Sequence, residues 1–339
     1  MGKGNAEKAV KKTAAKGGGG ATGAGIKPAR LAREKPGDVA TGKAHKARAK
    51  KLEHDLFDLF ESIHYREFKI LLKAEDFAED IGVEVHDYWK VARRVAGQLL
   101  IAVRRGPDET LAKYRDIVFL DTPAGDLYRR GYMLRVRRAY AGGVPGEKYE
   151  LTLKYRSGDV AKAAEVDINP AKEIPGRLKF KEEILLVGSE LGGMRSIFSH
   201  TCQIPDQTAA LGKTFGDYVR MFPGLVSLKL KSSTKMAPAA PVPVQEILYD
   251  LGEFGFRGAK TAKVNMAVWR NPQTRKIMIG EFAYETHFRH YGRLNPVPKL
   301  RSERLYRLLQ RETGAWVELG TTKTSMYYGL SGKKLGHDE

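Results

Sequence analysis

Cysteine is almost absent from this chain of 339 residues. Cys202 is the single one, so no internal disulfide can form, and a zinc site built from several cysteines is excluded. A lone cysteine is more typical of a small buried side chain than of a nucleophile. The sequence therefore predicts neither a disulfide-stabilised secreted scaffold nor a zinc protein.

Long apolar runs are missing as well. No stretch of about 18 apolar residues occurs, so the sequence predicts no membrane span. The basic N-terminus is not followed by the apolar segment that a secretory signal requires. We expect an intracellular, cytoplasmic protein. The Lys- and Ala-rich N-terminus leaves import into an organelle open, although Ser and Arg are scarce there.

Acidic residues are scarce in the first 50 positions, which hold 13 Lys or Arg and three Asp or Glu, in a chain of net charge +19. This segment also contains the run "GGGGATGAG" and few large apolar side chains. Burial cannot offset the entropy lost on ordering it, so residues 1–45 are predicted to be a disordered basic tail. Such a tail either attracts a polyanion or simply keeps the chain in solution.

Alternating apolar and polar residues dominate the rest of the chain and predict β-strands. The expected strands are 66–74, 115–122, 132–140, 148–156, 178–186, 225–233, 244–254, 262–270 and 276–286, with 196–204 and 316–322 as further candidates. Helical spacing predicts helices at 45–63, 85–104 and 299–313. Consecutive strands with few helices between them favour antiparallel pairing and a closed sheet.

The predicted fold class is therefore α+β, mostly β. We expect an eight-stranded antiparallel tunnel-like barrel with flanking helices. It would form one domain over residues 46–330, after the disordered tail and before a flexible C-terminus at 331–339.

Charged residues repeat along the polar faces of the predicted strands. The cationic repeats are Arg135/Arg137, Lys179/Lys181 and Lys229/Lys231, and the acidic repeats are Glu246/Asp250 and Glu281/Glu285. Two arrangements fit this pattern. The faces either point to solvent from an open sheet, or converge inside a barrel whose wet interior binds a polyanion, with the acids holding a divalent cation.

Two neighbouring segments carry a more specific pattern. The segment "FLDTPAGDLYRRGYMLRVRR" (119–138) has an Asp-Thr-Pro turn followed by a Leu-Arg-x-Arg strand, and "YELTLKYR" (149–156) contains Thr-x-Lys. Their order and spacing resemble the CYTH superfamily, the triphosphate tunnel metalloenzymes. In addition, "GEFAYE" (280–285) is similar to the late acidic strand of that family, and "TKTSMYYG" (322–329) to its closing lysine segment.

The resemblance implies a tunnel of eight antiparallel strands in which Arg and Lys bind a triphosphate or polyphosphate, and Glu side chains hold Mg²⁺ or Mn²⁺. The phosphate ligands that it implies are Lys73, Arg135, Arg137, Lys154 and Lys323. The cationic repeats add Lys229 and Lys231 to these candidates. The candidate metal ligands are Glu281 and Glu285 from the resemblance, and Asp250 from the acidic repeat.

The first strand, "REFKILLKAEDF", departs from the family pattern Glu-x-Glu-x-Lys. With Lys73 as the lysine of that pattern, Lys69 and Leu71 stand where the two glutamates are expected. A hard divalent cation needs oxygen ligands, which neither residue supplies.

Two functions follow from this departure. The departure favours a non-catalytic protein that binds a polyanion (triphosphate, polyphosphate or nucleic acid) in a tunnel with a degraded metal site. The alternative is a Mg²⁺- or Mn²⁺-dependent phosphohydrolase that acts on a triphosphate or polyphosphate.

Overall fold

The computed structural model describes residues 60–106, 111–186, 188, 190–207, 213–256, 261–288 and 296–332. The tail predicted at 1–45, most of the helix predicted at 45–63 and most of the C-terminus predicted to be flexible lie outside these ranges. One sheet contains the strands β1 (Tyr65–Leu72), β2 (Ala102–Arg105), β3 (Ala112–Asp121), β4 (Tyr132–Ala141), β5 (Val144–Ser157), β6 (Arg177–Leu185), β7 (Arg195–Gln207), β8 (Ala237–Pro238), β9 (Val244–Gly255), β10 (Ala262–Arg270) and β11 (Ile277–His287).

Nine of these strands close into a barrel. Their order is β9-β10-β11-β1-β6-β7-β5-β4-β3, and β3 pairs back onto β9. The strands β2 and β8 extend β9 and β3 respectively outside the ring. The mostly-β barrel is as predicted, but the count of eight antiparallel strands is wrong. A ring with an odd number of strands cannot alternate direction throughout, and here β1 and β6 run parallel.

Five α-helices accompany the barrel in the described ranges. They are α1 (Ile81–Gln98), α2 (Val160–Glu165), α3 (Phe215–Met221), α4 (Pro296–Glu312) and α5 (Lys323–Gly329). The helix predicted at 85–104 begins earlier, where the Asp80 side chain accepts hydrogen bonds from the backbone N–H groups of Gly82 and Val83. It ends before Leu100, whose φ of 54° is incompatible with a right-handed helix, and the chain continues as β2.

The largest apolar core lies between the outer face of the barrel and the helices α1 and α4. Phe68, Ile70 and Leu72 on the outer face of β1 are buried there, against side chains such as Trp89 of α1 and Leu305 of α4. The alternation of β1 thus assigns its apolar face to the core, as the sequence predicts. The same alternation turns Glu67, Lys69 and Leu71 inward.

A second apolar cluster fills one level inside the barrel. It contains inward residues of six strands together with side chains of α5: Leu71, Ile117, Phe119, Met133, Val244, Trp269, Ile279, Tyr327 and Tyr328. All of them are at most 9% exposed. The interior is therefore a packed core at this level and a polar cavity next to it.

The strand predicted at 225–233 is wrong. Residues Pro223–Leu228 form a 3₁₀-helix instead, with proline at its start and with Leu225 and Leu228 buried at a spacing of three. Lys229 then adopts a left-handed conformation with φ 52°. The alternation of Leu and Lys after Ser227 imitates a strand, but the chain turns here.

The candidate strand at 316–322 is also wrong. Gly314–Trp316 form a short 3₁₀-helix, and the pairing there is an isolated bridge between Val317 and Leu72. The candidate at 196–204 does form a strand, β7. None of the helices within the described ranges combines the length and apolarity that a bilayer crossing demands.

Candidate functional site

The barrel encloses a cavity of about 780 Å³, within the range of about 300–1,000 Å³ typical of small-molecule sites. Among the residues that the structure describes, ten of its lining side chains are cationic: Lys69, Arg115, Arg135, Arg137, Lys154, Arg156, Lys179, Lys181, Arg195 and Lys323. Four are acidic: Glu67, Glu246, Glu281 and Glu318. Inward-facing positions of β1, β3, β4, β5 and β6 supply most of the cations, so the strand period of two creates this lining.

A single buried carboxylate contacts three cationic side chains on one wall of the cavity. Glu183 of β6 is fully buried and contacts Lys154, Arg156 at 2.8 Å and Lys69 at 2.9 Å. Ser199 Oγ donates a further hydrogen bond of 2.5 Å to it. Burial alone would raise the pKa of Glu183, but Arg156, Lys154 and Lys69 lower it well below its ordinary value. Glu183 is therefore a fixed negative centre that holds three cations together.

Lys69 and Lys181 share a second carboxylate. Glu67 Oε2 lies 3.2 Å from the ammonium nitrogen of each lysine, and Lys181 also contacts Glu285. Burial would raise the pKa of Glu67, but Lys181 and Lys69 lower it to about 2. The ion pairs thus form a continuous chain along β11, β1 and β6.

The opposite wall has guanidinium groups in excess. Arg137 pairs with Glu150 at 3.2 Å, and Arg115 pairs with Glu246. Within the described ranges Arg135 has no ion pair: its polar contact is a long 3.5 Å hydrogen bond to Thr152 Oγ1, and its buried Nε has no hydrogen-bond partner. Burial lowers the pKa of Arg135 well below its ordinary value, and repulsion from Arg137 lowers it further. Arg135 is thus a charged group whose surroundings leave it short of negative partners.

Lys323 belongs to a separate group of ion pairs, next to the apolar level. It is the first residue of α5, and its ammonium lies 2.8 Å from Glu281 and 3.5 Å from Glu246. It also lies 4.8 Å from the ring centre of Trp269, within the range of a cation–π contact. The indole Nε1 of Trp269 donates to Glu246 at 2.9 Å.

The structure brings together four of the seven predicted phosphate ligands. Arg135, Arg137, Lys154 and Lys323 line the same cavity. Lys229 and Lys231 lie outside the lining and are exposed, because the chain there is not a strand. Lys73 follows the end of β1 and precedes a 3₁₀-helix, so it also lies outside the lining.

The predicted metal ligands do not form one site. Glu281 lines the cavity, Glu285 lies beyond its lining next to Lys181, and Asp250 is exposed. No group of three or more His, Cys, Asp or Glu side chains in the described ranges could hold a metal ion.

The carboxylates that are present do not fit a divalent cation either. Five acids in or beside the cavity, Glu67, Glu183, Glu246, Glu281 and Glu285, already contact at least one Lys or Arg. Glu318 is the remaining lining acid in the described ranges, and one carboxylate alone does not supply the oxygen ligands that a divalent cation needs. A divalent cation would have to displace these ammonium and guanidinium groups to gain oxygen ligands. On β1 the inward positions after Glu67 are Lys69 and Leu71. The donor set of this cavity therefore does not fit Mg²⁺ or Mn²⁺.

Sequence reasoning missed several important side chains as site residues. Glu183, Arg156 and Arg115 were not among the candidates, although the strand period of two gives a signal for each of them. Glu183 continues the inward period of Lys179 and Lys181, and Arg156 lies two residues after Lys154. Arg115 is the first residue of the strand predicted at 115–122 and lies on the same face as Ile117 and Phe119.

The closed sheet has a charged interior, and its Leu-Arg-x-Arg and Thr-x-Lys strands both face that interior. No protein-family model matches the chain, and no curated protein matches it. Solved structures do resemble it at low identity. HpAC1 from Hippeastrum, named for an adenylyl cyclase and credited with a dominant triphosphatase activity, is 15% identical, with a TM-score of 0.40, over 81% of this chain and 100% of its own.

Two further structures show the same level of similarity. A protein from Bacillus halodurans named for an adenylate cyclase is 12% identical, with a TM-score of 0.35, over 78% of this chain and 96% of its own. The protein PH1819 from Pyrococcus horikoshii is 11% identical, with a TM-score of 0.29, over 75% of this chain and 92% of its own. At these identities, the activities that their names state belong to those proteins.

Proposed function

We propose that the barrel binds a short phosphate chain, such as tripolyphosphate, between its cationic walls. The observation that carries this proposal is Arg135, a guanidinium that lines the cavity without a carboxylate partner in the described ranges. An isolated charge in a partly desolvated site is costly, and an anion that binds to it removes that cost.

Phosphate chemistry matches the side chains on this wall. A guanidinium presents parallel N–H donors that fit two phosphate oxygens, and charge-assisted hydrogen bonds of this kind are stronger than neutral ones. Arg115, Arg135 and Arg137 repel one another, as their effects on the pKa values of Arg135 and Arg137 show. A multiply charged anion bound between them would attract all three guanidinium groups and offset this repulsion.

The far wall supports the same ligand class. Lys179 lines the cavity, and burial lowers its pKa, as does repulsion from Lys181. Cations on both walls suit an extended anion with several charges better than a single carboxylate or phosphate. The cavity volume suits a tripolyphosphate or a nucleoside triphosphate and not a folded nucleic acid.

Calorimetric titration with tripolyphosphate tests the proposal. We expect saturable binding by the full chain that weakens as salt is added. The variant Arg135→Met should lose about 10–100-fold in affinity, the size expected for hydrogen bonds to a charged group. The matched control is Arg304→Met, which removes an exposed arginine on α4 and should bind like the wild type. Equal affinity of both variants would contradict the proposal.

A phosphate-release assay separates this function from hydrolysis. Because the donor set does not fit Mg²⁺ or Mn²⁺, we expect no metal-dependent release of phosphate from tripolyphosphate or ATP. Turnover that requires Mn²⁺ and is abolished by Glu281→Gln would show instead that the protein is a phosphohydrolase.

The basic segment 1–45 provides a second proposed contact for a long polyanion. With ten basic and three acidic residues, this segment would increase the rate of association with polyphosphate. Deleting residues 1–45 should slow association with long polyphosphate and leave tripolyphosphate affinity nearly unchanged. A strong loss of tripolyphosphate affinity on this deletion would instead place the main binding site on the tail.

A further inference from the structure

The ammonium group of Lys69 occupies the centre of an acidic cluster inside the barrel. It lies 2.9 Å from Glu183 Oε2 and 3.2 Å from Glu67 Oε2. Glu281 on β11 also acts on it electrostatically. Three carboxylates from three strands thus act on one cation that belongs to the chain itself.

The position of Lys69 is imposed by the strand pairing. On β1 its backbone pairs with Ala283, so no large side chain of β11 lies directly beside it. Glu67 pairs with Glu183 across the parallel β1–β6 contact, which puts two carboxylates side by side. Two adjacent buried acids repel each other, and a cation between them is the means of keeping both ionised.

Burial of Lys69 does not neutralise it. Desolvation lowers the pKa of its ammonium, but Glu183, Glu67 and Glu281 raise it above its ordinary value. An ammonium has three N–H donors. Its contacts with Glu183 and Glu67 leave one donor for an anion in the cavity, whose lining includes Lys69.

We propose that Lys69 serves as a tethered counter-cation, which lets the cavity bind a phosphate chain without a divalent metal ion. A bound metal ion normally bridges acidic side chains and phosphate oxygens. Here the ammonium performs that bridging between Glu67 and Glu183 on one side and the ligand on the other. This inference rests on the proposed function and specifies how the same site neutralises its acids.

A metal ion should then compete with the protein for the ligand. Mg²⁺ and Mn²⁺ bind tripolyphosphate in solution, so they lower the concentration of the free anion. They gain no new site at Glu67, Glu183 or Glu281, because each of these carboxylates already contacts Lys or Arg. Binding is therefore expected to be strongest when divalent cations are removed.

Titration of the full wild-type chain with tripolyphosphate, in EDTA and in excess Mn²⁺, tests the inference. We expect binding in EDTA and weaker apparent binding in Mn²⁺. Electron paramagnetic resonance of Mn²⁺ added to the protein alone should show the signal of free Mn²⁺. Binding that occurs only with Mn²⁺, or a stoichiometric Mn²⁺ site in the ligand-free protein, would overturn the inference but not the proposed function. Failure of the folded protein to bind in either condition would contradict both.

Substitution of Lys69 provides a second test of the inference. Lys69→Met keeps most of the side-chain length and removes the charge, and it should lower tripolyphosphate affinity in EDTA by about 10–100-fold. Lys69→Arg keeps the charge and should retain most of the affinity. Arg304→Met again serves as the exposed control. Wild-type affinity of a folded Lys69→Met would overturn the inference; if that variant does not fold, the two wild-type measurements decide it.

Discussion

The same strands build two different interiors at neighbouring levels of the barrel. On β1 the inward side chain changes from Lys69 to Leu71, and on β11 it changes from Glu281 to Ile279. β4 shows the same change from Arg135 to Met133. The backbone period is identical at both levels, so side-chain chemistry alone decides whether the interior is a polar cavity or an apolar core.

The two levels are stabilised differently. The apolar level gains about 25 cal/mol for each Å² of apolar surface removed from water. The charged level gains little net stability from ion pairs, because desolvation offsets much of the attraction, yet removing one partner is costly. Substitutions at the two levels should therefore differ in what they disturb: stability alone at the apolar level, and stability or binding at the charged level.

The largest effect is expected from Glu183→Gln. It removes the buried carboxylate that contacts Lys69, Lys154 and Arg156, and leaves three cations to repel one another. We expect a loss of about 3–5 kcal/mol in the free energy of unfolding, measured by urea denaturation. The control Glu253→Gln breaks a pair with the exposed Arg104 and should cost about 0–1 kcal/mol. Equal losses in the two variants would show that the Glu183 cluster is not a structural centre.

The pH dependence of stability tests the neighbouring carboxylate. The pKa of Glu67 is 4.5 in its ordinary state and about 2 in the folded protein. Because the folded pKa is the lower one, the stabilisation is complete above pH 4.5 and is lost as the pH falls towards 2. Its size is at most on the order of 3 kcal/mol.

The matched variant for this experiment is Glu67→Gln. Its stability should fall less steeply than that of the wild type between pH 4.5 and pH 2, measured as the midpoint of urea unfolding at each pH. Parallel curves for the two proteins would mean that Glu67 titrates normally in the folded state.

At Arg135 we expect a smaller change in stability, and in the opposite direction. Its charge is short of negative partners, so Arg135→Met should leave stability unchanged or raise it by about 1 kcal/mol while tripolyphosphate affinity falls. Thermal unfolding with and without ligand measures both quantities in one experiment. A strong loss of stability in the ligand-free variant would show that Arg135 is a structural residue instead.

The smallest effect on ligand binding is expected at the apolar level. Ile279→Val removes one methylene from a fully buried side chain and should cost about 0.5–1.5 kcal/mol. Tripolyphosphate affinity should stay the same, because the change adds or removes no charge. A clear loss of affinity without a larger loss of stability would mean that the ligand reaches into the apolar level.

Much of the charged level could be predicted from the sequence. The alternation of β1 and β4 identifies their inward faces, and Arg135, Arg137, Lys154 and Lys323 do line one cavity. Lys229 and Lys231 show the limit of the same reasoning, because a short alternating run after a proline and a glycine also occurs in a turn. Local patterns do not distinguish the two cases without the packing of Leu225 and Leu228.

Other features depend on pairing between distant strands. The central position of Glu183 follows from the parallel contact of β6 with β1, residues about 115 positions apart, which no local pattern reveals. The number of barrel strands also depends on pairing between distant strands, because the ring of nine closes only where β3 pairs with β9. The absence of glutamates at positions 69 and 71 was visible in the sequence, but the convergence of three acids on Lys69 was not.

A crystal structure of the full chain grown with tripolyphosphate and EDTA tests the central claim most directly. The account predicts phosphate density inside the barrel, in contact with Arg135 on one wall and with Lys69 or Lys179 on the other, and with no metal ion beside Glu67, Glu183 or Glu281. Density confined to the outer surface, or phosphates held through a divalent cation among these glutamates, would contradict it.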